Sequence, residues 1–162
     1  MAFCKTMSGS QKILDTSETP GFLRRLGAIV YDTATAIALI FVAHTLVVVS
    51  IGTIGGWENF DAAGLGRNPL HIAFLLAMAP LFFLVFWTKG GQTLGMRAWR
   101  IRVVRKDGAP LTPGDAAKRL VASLLSWLCL GLGFLWILVD RERIAWHDRL
   151  SGTRLVLTGK RG

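Results

Sequence analysis

Three charged residues stand where their types and spacing could do chemistry: Arg25, Asp32 and Asp148. Arg25 and Asp32 lie seven residues apart at the start of a long apolar stretch. Seven residues nearly complete two turns of an α-helix, so the two side chains share one face, about 10 Å apart along the axis. In a membrane helix an ionised carboxylate costs several kcal/mol unless it is paired, hydrated or protonated. The spacing therefore predicts an ion pair between Arg25 and Asp32, or a carboxyl group that binds a proton or a cation.

A simpler interpretation of the same residues stays open. A carboxylate near the membrane surface can reach water and merely end the apolar stretch, and the adjacent Arg24 and Arg25 can both be headgroup anchors. Three alanines lie within about 40° of the Asp32 face of the helix: Ala28, Ala36 and Ala43. Small residues let a second helix approach closely, which favours an acid that faces protein or a water-filled cavity.

The C-terminal string Trp-His-Asp-Arg-Leu-Ser-Gly-Thr, residues 146–153, raises the question of a catalytic or metal site. Adjacent positions suit His147 and Asp148 poorly for joint metal ligation, and no elbow motif surrounds Ser151. We therefore expect no enzyme activity, no metal and no cofactor. The string predicts an interfacial turn in which Asp148 accepts hydrogen bonds from backbone N–H groups or from an arginine of the central loop.

The elements that must position these residues are three apolar blocks within 162 residues, of which 52% are hydrophobic. The blocks cover residues 26–51, 70–88 and 120–139, and each approaches the length of about 20 residues that a spanning helix needs. This profile predicts an all-α integral membrane protein. The net charge of +9 comes from segments that flank the blocks, where basic residues meet anionic headgroups, so nucleic acid is not the expected partner.

Charge also predicts the orientation of the blocks. The loop from Gly52 to Pro69 has a single basic residue, whereas the loop from Lys89 to Arg119 has eight. The positive-inside rule therefore puts the N-terminus and the second loop in the cytoplasm. We divide the chain into a disordered cytoplasmic N-terminus at 1–20, a transmembrane domain at 21–158 and a basic tail at 159–162.

The third block admits two arrangements. One plain crossing suits its length but puts six basic residues outside. Alternation of apolar and polar residues predicts two short strands, Trp99–Arg105 and Thr153–Thr158, which can pair as a small cytoplasmic β-ribbon only if both lie on one side. A block that is broken or re-entrant near Gly131 and Gly133 satisfies both observations, and it predicts a cytoplasmic C-terminus.

Two other polar features have ordinary explanations. Gly90-Gly-Gln-Thr-Leu-Gly95 lacks the Gly-Lys-Ser/Thr ending and the preceding strand of a phosphate loop, so it predicts a helix C-cap and a tight turn. His44 is a lone histidine in the first block, and we expect it to form a hydrogen bond with a neighbouring helix.

With these motifs in order, the chain resembles the RDD family of small bacterial membrane proteins, named for an arginine and two aspartates. Arg25 and Asp32 match the first helix of the family in residue and spacing, and Asp148 matches its C-terminal motif. Gly91-Gln-Thr-Leu-Gly95 matches the central motif, although many members have a lysine where this chain has Met96. The resemblance covers nearly everything from Gly21 to Leu157.

The resemblance implies a bacterial inner-membrane location and a transport-like role. It marks Arg25, Asp32 and Asp148 as the signature and candidate ion or proton site, with four supporting residues: His147, Gln92, Thr93 and Gly95. Three short blocks are too few to enclose a pathway, so cation- or proton-coupled transport through Asp32 would need a homo-oligomer or a partner membrane protein. The alternative is a non-transport scaffold or accessory subunit of a partner complex.

Overall fold

The computed structural model describes residues 19–141 and 144–158. Most of the N-terminal segment predicted to be disordered, and the whole predicted basic tail, lie outside the described residues. The described chain is mostly helical, with one small sheet. In order, its elements are α1 (Phe22–Gly55), a 3₁₀ turn (Trp57–Asn59), α2 (Ala62–Arg67), α3 (Pro69–Gly90), α4 (Leu94–Ala98), β1 (Ile101–Arg105), α5 (Pro113–Leu128), α6 (Leu132–Leu135), a 3₁₀ turn (Trp136–Leu138), α7 (Trp146–Leu150) and β2 (Thr153–Leu157).

Two helices are long and apolar enough to cross a membrane, α1 with 34 residues and α3 with 22. At 1.5 Å per residue they measure about 51 Å and about 33 Å, against a hydrocarbon thickness of about 30 Å. Neither Gly nor Pro interrupts residues 28–51 of α1. Its hydroxyl groups at Thr45, Ser50 and Thr53 donate to the carbonyl four residues earlier. These polar groups are therefore satisfied within the helix, as an apolar environment requires.

The two predicted strands pair, which confirms the expected β-ribbon. β1 and β2 are antiparallel, in a register that runs from Ile101 opposite Leu157 to Arg105 opposite Thr153. Inward-facing Ile101, Val103 and Leu155 join a buried core with residues from the surrounding helices and from the loop before α5: Ala28, Trp87, Met96, Leu111 and Ala116. The two strands are therefore stabilised by side chains from elsewhere in the chain, which a lone ribbon would lack.

The third apolar block is broken, so the straight crossing is wrong. α5 begins with a capping box between Thr112 and Asp115, two residues that satisfy each other's backbone N–H groups. The helix stops at Leu128, and Leu130 and Gly131 have φ angles of 55° and 76°. The following turn, Leu132–Leu138, bends away from α5 by 104°. The left-handed conformation at Gly131 carries little strain because glycine has no Cβ.

The described chain forms two compact units. The first takes the described residues of Met1–Asp32 and Phe83–Gly162, and the second is Thr33–Phe82. The first unit contains the sheet, the broken block and all seven residues that the motifs single out. The second unit contains the loop from α1 to α3, in which Asp61 caps α2 by accepting from the N–H of Gly64.

Candidate functional site

Asp148 is the centre of a buried ion-pair cluster in the first unit. It lies in the one-turn helix α7, and only 1% of its surface is exposed. Its Oδ2 accepts a hydrogen bond from Arg25 Nη1 at 3.0 Å, and its Oδ1 accepts one from Arg119 Nη1 at 2.5 Å. Arg119 Nη1 also donates to Thr153 Oγ1 at 2.6 Å. The carboxylate therefore joins the start of α1 to the middle of α5, and Arg119 extends the cluster to the first residue of β2.

Neighbouring groups hold the two arginines of this cluster in place. Arg25 Nε donates to the carbonyl of Pro20 at 3.1 Å. The guanidinium of Arg119 lies over the indole ring of Trp87, with 5.2 Å between its Cζ and the ring centroid. A cation above an aromatic face is attracted to it, so Arg119 is fixed from two sides.

The charges of the cluster determine the protonation of Asp148. Burial alone would raise the pKa of this carboxyl, but the positive charges of Arg119 and Arg25, together with the nearby His147, lower it more, and the pKa lies below its ordinary value. Attraction between opposite charges at this range outweighs desolvation when both arginines donate directly to the carboxylate. Asp148 is therefore ionised at neutral pH.

His147 is the neutral member of the cluster. Burial lowers its pKa to about 4, with Arg119 and Arg25 contributing in the same direction and Asp148 opposing them. Its Nε2 lies 3.6 Å from Asp148 Oδ1, and its ring packs on Phe134 with 4.5 Å between centroids. At neutral pH this contact joins an uncharged imidazole to a carboxylate, so it is not a salt bridge.

Asp32 occupies a different environment, although it is also buried, with 4% of its surface exposed. Its Oδ2 accepts a hydrogen bond from the hydroxyl of Thr93 at 2.5 Å, and its Oδ1 accepts one from the backbone N–H of Gly95 at 2.8 Å. Thr93 is also the N-cap of α4, since its Oγ1 accepts from Met96 N at 3.2 Å. Within residues 19–141 and 144–158, no lysine or arginine forms an ion pair with Asp32.

The glycine turn brings α4 against the Asp32 side of α1. A Cβ on Gly95 would lie 2.4 Å from the carbonyl oxygen of Ala28 and 2.9 Å from Asp32 Cγ, so only glycine fits. Gln92 anchors the other side of the turn, because its Nε2 donates to the Ile101 carbonyl at 2.6 Å. Gly91 has a φ of 65°, which confirms the predicted tight turn.

The predicted ion pair between Arg25 and Asp32 is wrong. Arg25 donates to Asp148, and the two oxygens of Asp32 accept from Thr93 and Gly95. Both side chains do leave α1 towards buried surroundings, but the cluster offers Arg25 a carboxylate that approaches to 3.0 Å. The prediction for Asp148 is confirmed, because it accepts from Arg119 and from the N–H of Ala145.

Three residues of the cluster were not among the predicted site residues: Arg119, Ser151 and Thr153. Ser151 Oγ donates to the His147 carbonyl and lies 2.7 Å from Thr153 Oγ1. A signal for Arg119 exists in its spacing. Arg119 lies on the α5 face whose other buried residues are Ala116, Ala122 and Ser126, so a charged residue there had to meet an internal partner.

His44 lies in the second unit and takes no part in the cluster. Its Nδ1 is 3.0 Å from Nε2 of His71 in α3, so the expected hydrogen bond between helices is confirmed. In the part of the chain that the structure describes, no three or more His, Cys, Asp or Glu side chains gather where they could hold a metal ion.

Comparison with known proteins agrees with the motifs. A model of the RDD family matches residues 19–152. An uncharacterized protein of Rickettsia prowazekii (strain Madrid E) is 28% identical over 89 residues, which cover 55% of this chain and 50% of that protein. The match thus spans about half the length of that relative. No solved structure matches. The family match covers most of the chain, and with its two to three apolar helices the chain belongs to the RDD family of membrane proteins.

Proposed function

We propose that the protein has a transport role in which Asp32 binds a proton or a cation and couples its movement across the membrane. One observation carries the proposal: Asp32 is a buried carboxylate whose partners are a hydroxyl and a backbone N–H. A buried carboxylate without a cation is costly, and the cost is relieved when the group takes up a proton or a cation. In Asp148 the two arginines already supply that compensation.

The position of Asp32 along α1 supports the same role. Residues 33–55 contain no Asp, Glu, Lys or Arg, and at 1.5 Å per residue they span about 34 Å. Asp32 is therefore the last ionisable carboxyl before an uncharged stretch as long as the hydrocarbon core is thick. A proton or cation bound at Asp32 therefore lies at the N-terminal end of the uncharged stretch.

Thr93 suits a carboxyl that changes its protonation. A hydroxyl group can donate one hydrogen bond and accept two. It donates to ionised Asp32, and it can accept from protonated Asp32 while it still accepts from Met96 N. Uptake of a proton therefore need not break the contact between α1 and α4.

The proposal includes an oligomer in the bacterial inner membrane. Two spanning helices and a bent segment offer too few polar groups to line a pathway alone, so copies of this chain or a partner membrane protein would complete it. The basic residues of the segment from Lys89 to Arg119 favour a cytoplasmic location for that segment and for the N-terminus.

Proton flux in proteoliposomes tests the proposal. Purified wild type, Asp32→Asn and the control Asp61→Asn are reconstituted at equal protein density with a pH-sensitive dye inside. Asp61 is an exposed cap of α2, and Asn is an equally good cap. We expect sodium- or potassium-dependent proton flux for wild type and Asp61→Asn, and the protein-free rate for Asp32→Asn. Wild type at the protein-free rate, or full activity in Asp32→Asn, would contradict the proposal.

A second function, a non-transport scaffold or accessory subunit, is favoured by the Asp148 cluster. Its ion pairs join three distant parts of the chain and give a rigid unit rather than a reactive one. In cells this function would survive Asp32→Asn and would be lost when the basic tail at 159–162 is deleted. The proton-coupled function predicts the opposite pattern for these two variants.

A further inference from the structure

The segment that connects the two strands leaves the sheet and returns to it. β1 and β2 are paired along five opposed residue positions, and paired strands lie about 4.8 Å apart. Arg119 near the start of the broken block and Asp148 after it are also in direct contact. Groups this close cannot lie on opposite sides of about 30 Å of hydrocarbon. The broken block therefore begins and ends on the side of the membrane where the sheet lies.

The faces of α5 have the reverse of a soluble helix's pattern. Its buried face consists of small and polar residues: Ala116, Arg119, Ala122 and Ser126. Its outer face consists of large apolar residues, all more than half exposed: Val121, Leu124, Leu125 and Leu128. In water the large apolar side chains would be inside. This distribution is typical of a helix whose outer face contacts lipid.

The turn at the break is the most exposed apolar point of this segment. Leu128 and Leu130 are 80% and 91% exposed, and Cys129 between them is exposed as well. Charged, exposed residues lie at both ends of the segment, Lys118 before it and Arg141 after it. The profile is polar, apolar and polar again, which matches a path from headgroups into acyl chains and back.

The length of α5 sets the depth of that path. From Lys118 to Leu128 the helix rises about 15 Å, which is half of the hydrocarbon thickness of about 30 Å. After the turn, the chain bends by 104°, and so it does not continue towards the far surface. The two arms approach each other closely at Ser126 and Gly133, where a Cβ on Gly133 would clash with the Ser126 side chain.

We propose that residues 119–139 form a wedge that inserts into the one leaflet adjoining the sheet, with Leu128–Leu130 among the lipid acyl chains. The occupant of the exposed apolar face is thus lipid of a single leaflet, and the chain crosses the membrane twice, through α1 and α3. This inference is independent of the proposed role of Asp32.

Labelling from each side of the membrane tests the path of the wedge. Single cysteines are placed at Lys118, Arg141 and, as the reference for the opposite side, Asn59, in a Cys4→Ser, Cys129→Ser background. A membrane-impermeant maleimide is applied to intact spheroplasts and to inverted vesicles. We expect Lys118→Cys and Arg141→Cys to react in the same preparation, and Asn59→Cys in the other one. Reaction of Lys118→Cys and Arg141→Cys in different preparations would show a third crossing and overturn the proposal.

Depth at the native Cys129 gives a second, separate readout. A nitroxide is attached to Cys129 in Cys4→Ser, and its collision rates with oxygen and with a water-soluble nickel complex are measured in liposomes. Leu76→Cys in α3, an exposed site on a spanning helix, is the lipid reference. We expect frequent collisions with oxygen and few with nickel. Frequent nickel collisions would place the turn in water, and dipolar broadening between spins would place a second copy on it; either result overturns the proposal.

Discussion

Asp148 and Asp32 are the same residue type, both buried in the same unit, yet their surroundings differ in charge. Asp148 accepts hydrogen bonds from two arginines, Arg25 and Arg119, whereas Asp32 accepts from the hydroxyl of Thr93 and the N–H of Gly95. The first arrangement needs the negative charge, because two guanidinium groups depend on it. The second needs only acceptor atoms. Two signature aspartates can therefore have opposite tolerance to loss of charge.

The largest expected effect is that of Asp148→Asn. Removing this charge leaves Arg25 and Arg119 buried without their carboxylate, and breaking a buried pair in this way costs about 3–5 kcal/mol. The free energy of unfolding is measured in mixed micelles by titration with a denaturing detergent. Asp107→Asn is the matched control, since Asp107 and Arg105 form an exposed ion pair, and a loss of at most about 1 kcal/mol is expected there. Equal losses of unfolding free energy in the two variants would mean that the buried ion pairs of Asp148 contribute no more to stability than an exposed ion pair does.

The pH dependence of the free energy of unfolding tests whether His147 is neutral in the same cluster. The pKa of His147 is about 4 in the folded protein, against 6.5 for the ordinary group, so between these values the unfolded chain binds more protons. The contribution of His147 to the free energy of unfolding is then constant above the ordinary pKa and falls by about 3 kcal/mol as the pH drops to 4. His147→Gln should flatten this part of the curve. If the free energy of unfolding of His147→Gln falls by the same amount over this pH range, groups other than His147 cause the fall.

Gly95→Ala tests the close approach that gives Asp32 its backbone donor. The added Cβ would meet the Ala28 carbonyl at 2.4 Å, so α4 must move away from α1, at a cost of about 1–3 kcal/mol. Gly66→Ala is the control, because its Cβ would meet nothing within 4 Å. Unfolding in mixed micelles should show a loss for the first variant and no loss for the second. An unchanged free energy of unfolding in Gly95→Ala would mean that α4 can move away from α1 at Asp32 without cost.

The smallest expected effect on stability is that of Asp32→Asn. An amide oxygen can still accept from Thr93 or Gly95, and no arginine is left without a partner, so the change should be within about 1 kcal/mol. The same unfolding titration measures it. A loss as large as that of Asp148→Asn would show that the Asp32 site also depends on charge.

Local patterns in the sequence predicted much of this fold. Alternation predicted both strands, the basic tail residues and the strand pairing together favoured a broken third block, and Gly131 lies where the chain turns. The charge partners could not be predicted in the same way. Arg25 and Asp32 share a helix face, but Arg25 bonds to a residue 123 positions away. Helical spacing determines only the direction in which a side chain leaves the helix. Tertiary packing determines which carboxylate lies within reach of that side chain.

A pair of double-mutant cycles tests most directly whether Arg25 belongs to Asp148 and not to Asp32. The cycles combine Arg25→Gln with Asp148→Asn and Arg25→Gln with Asp32→Asn, and the free energy of unfolding is measured for each single and double variant in the same micelles. Residues in direct contact show coupling of about 0.5–3 kcal/mol, whereas independent residues are additive within about 0.5 kcal/mol. We predict coupling near the upper end of that range for Arg25 with Asp148 and additivity for Arg25 with Asp32. Coupling of Arg25 to Asp32, with additivity towards Asp148, would contradict the account.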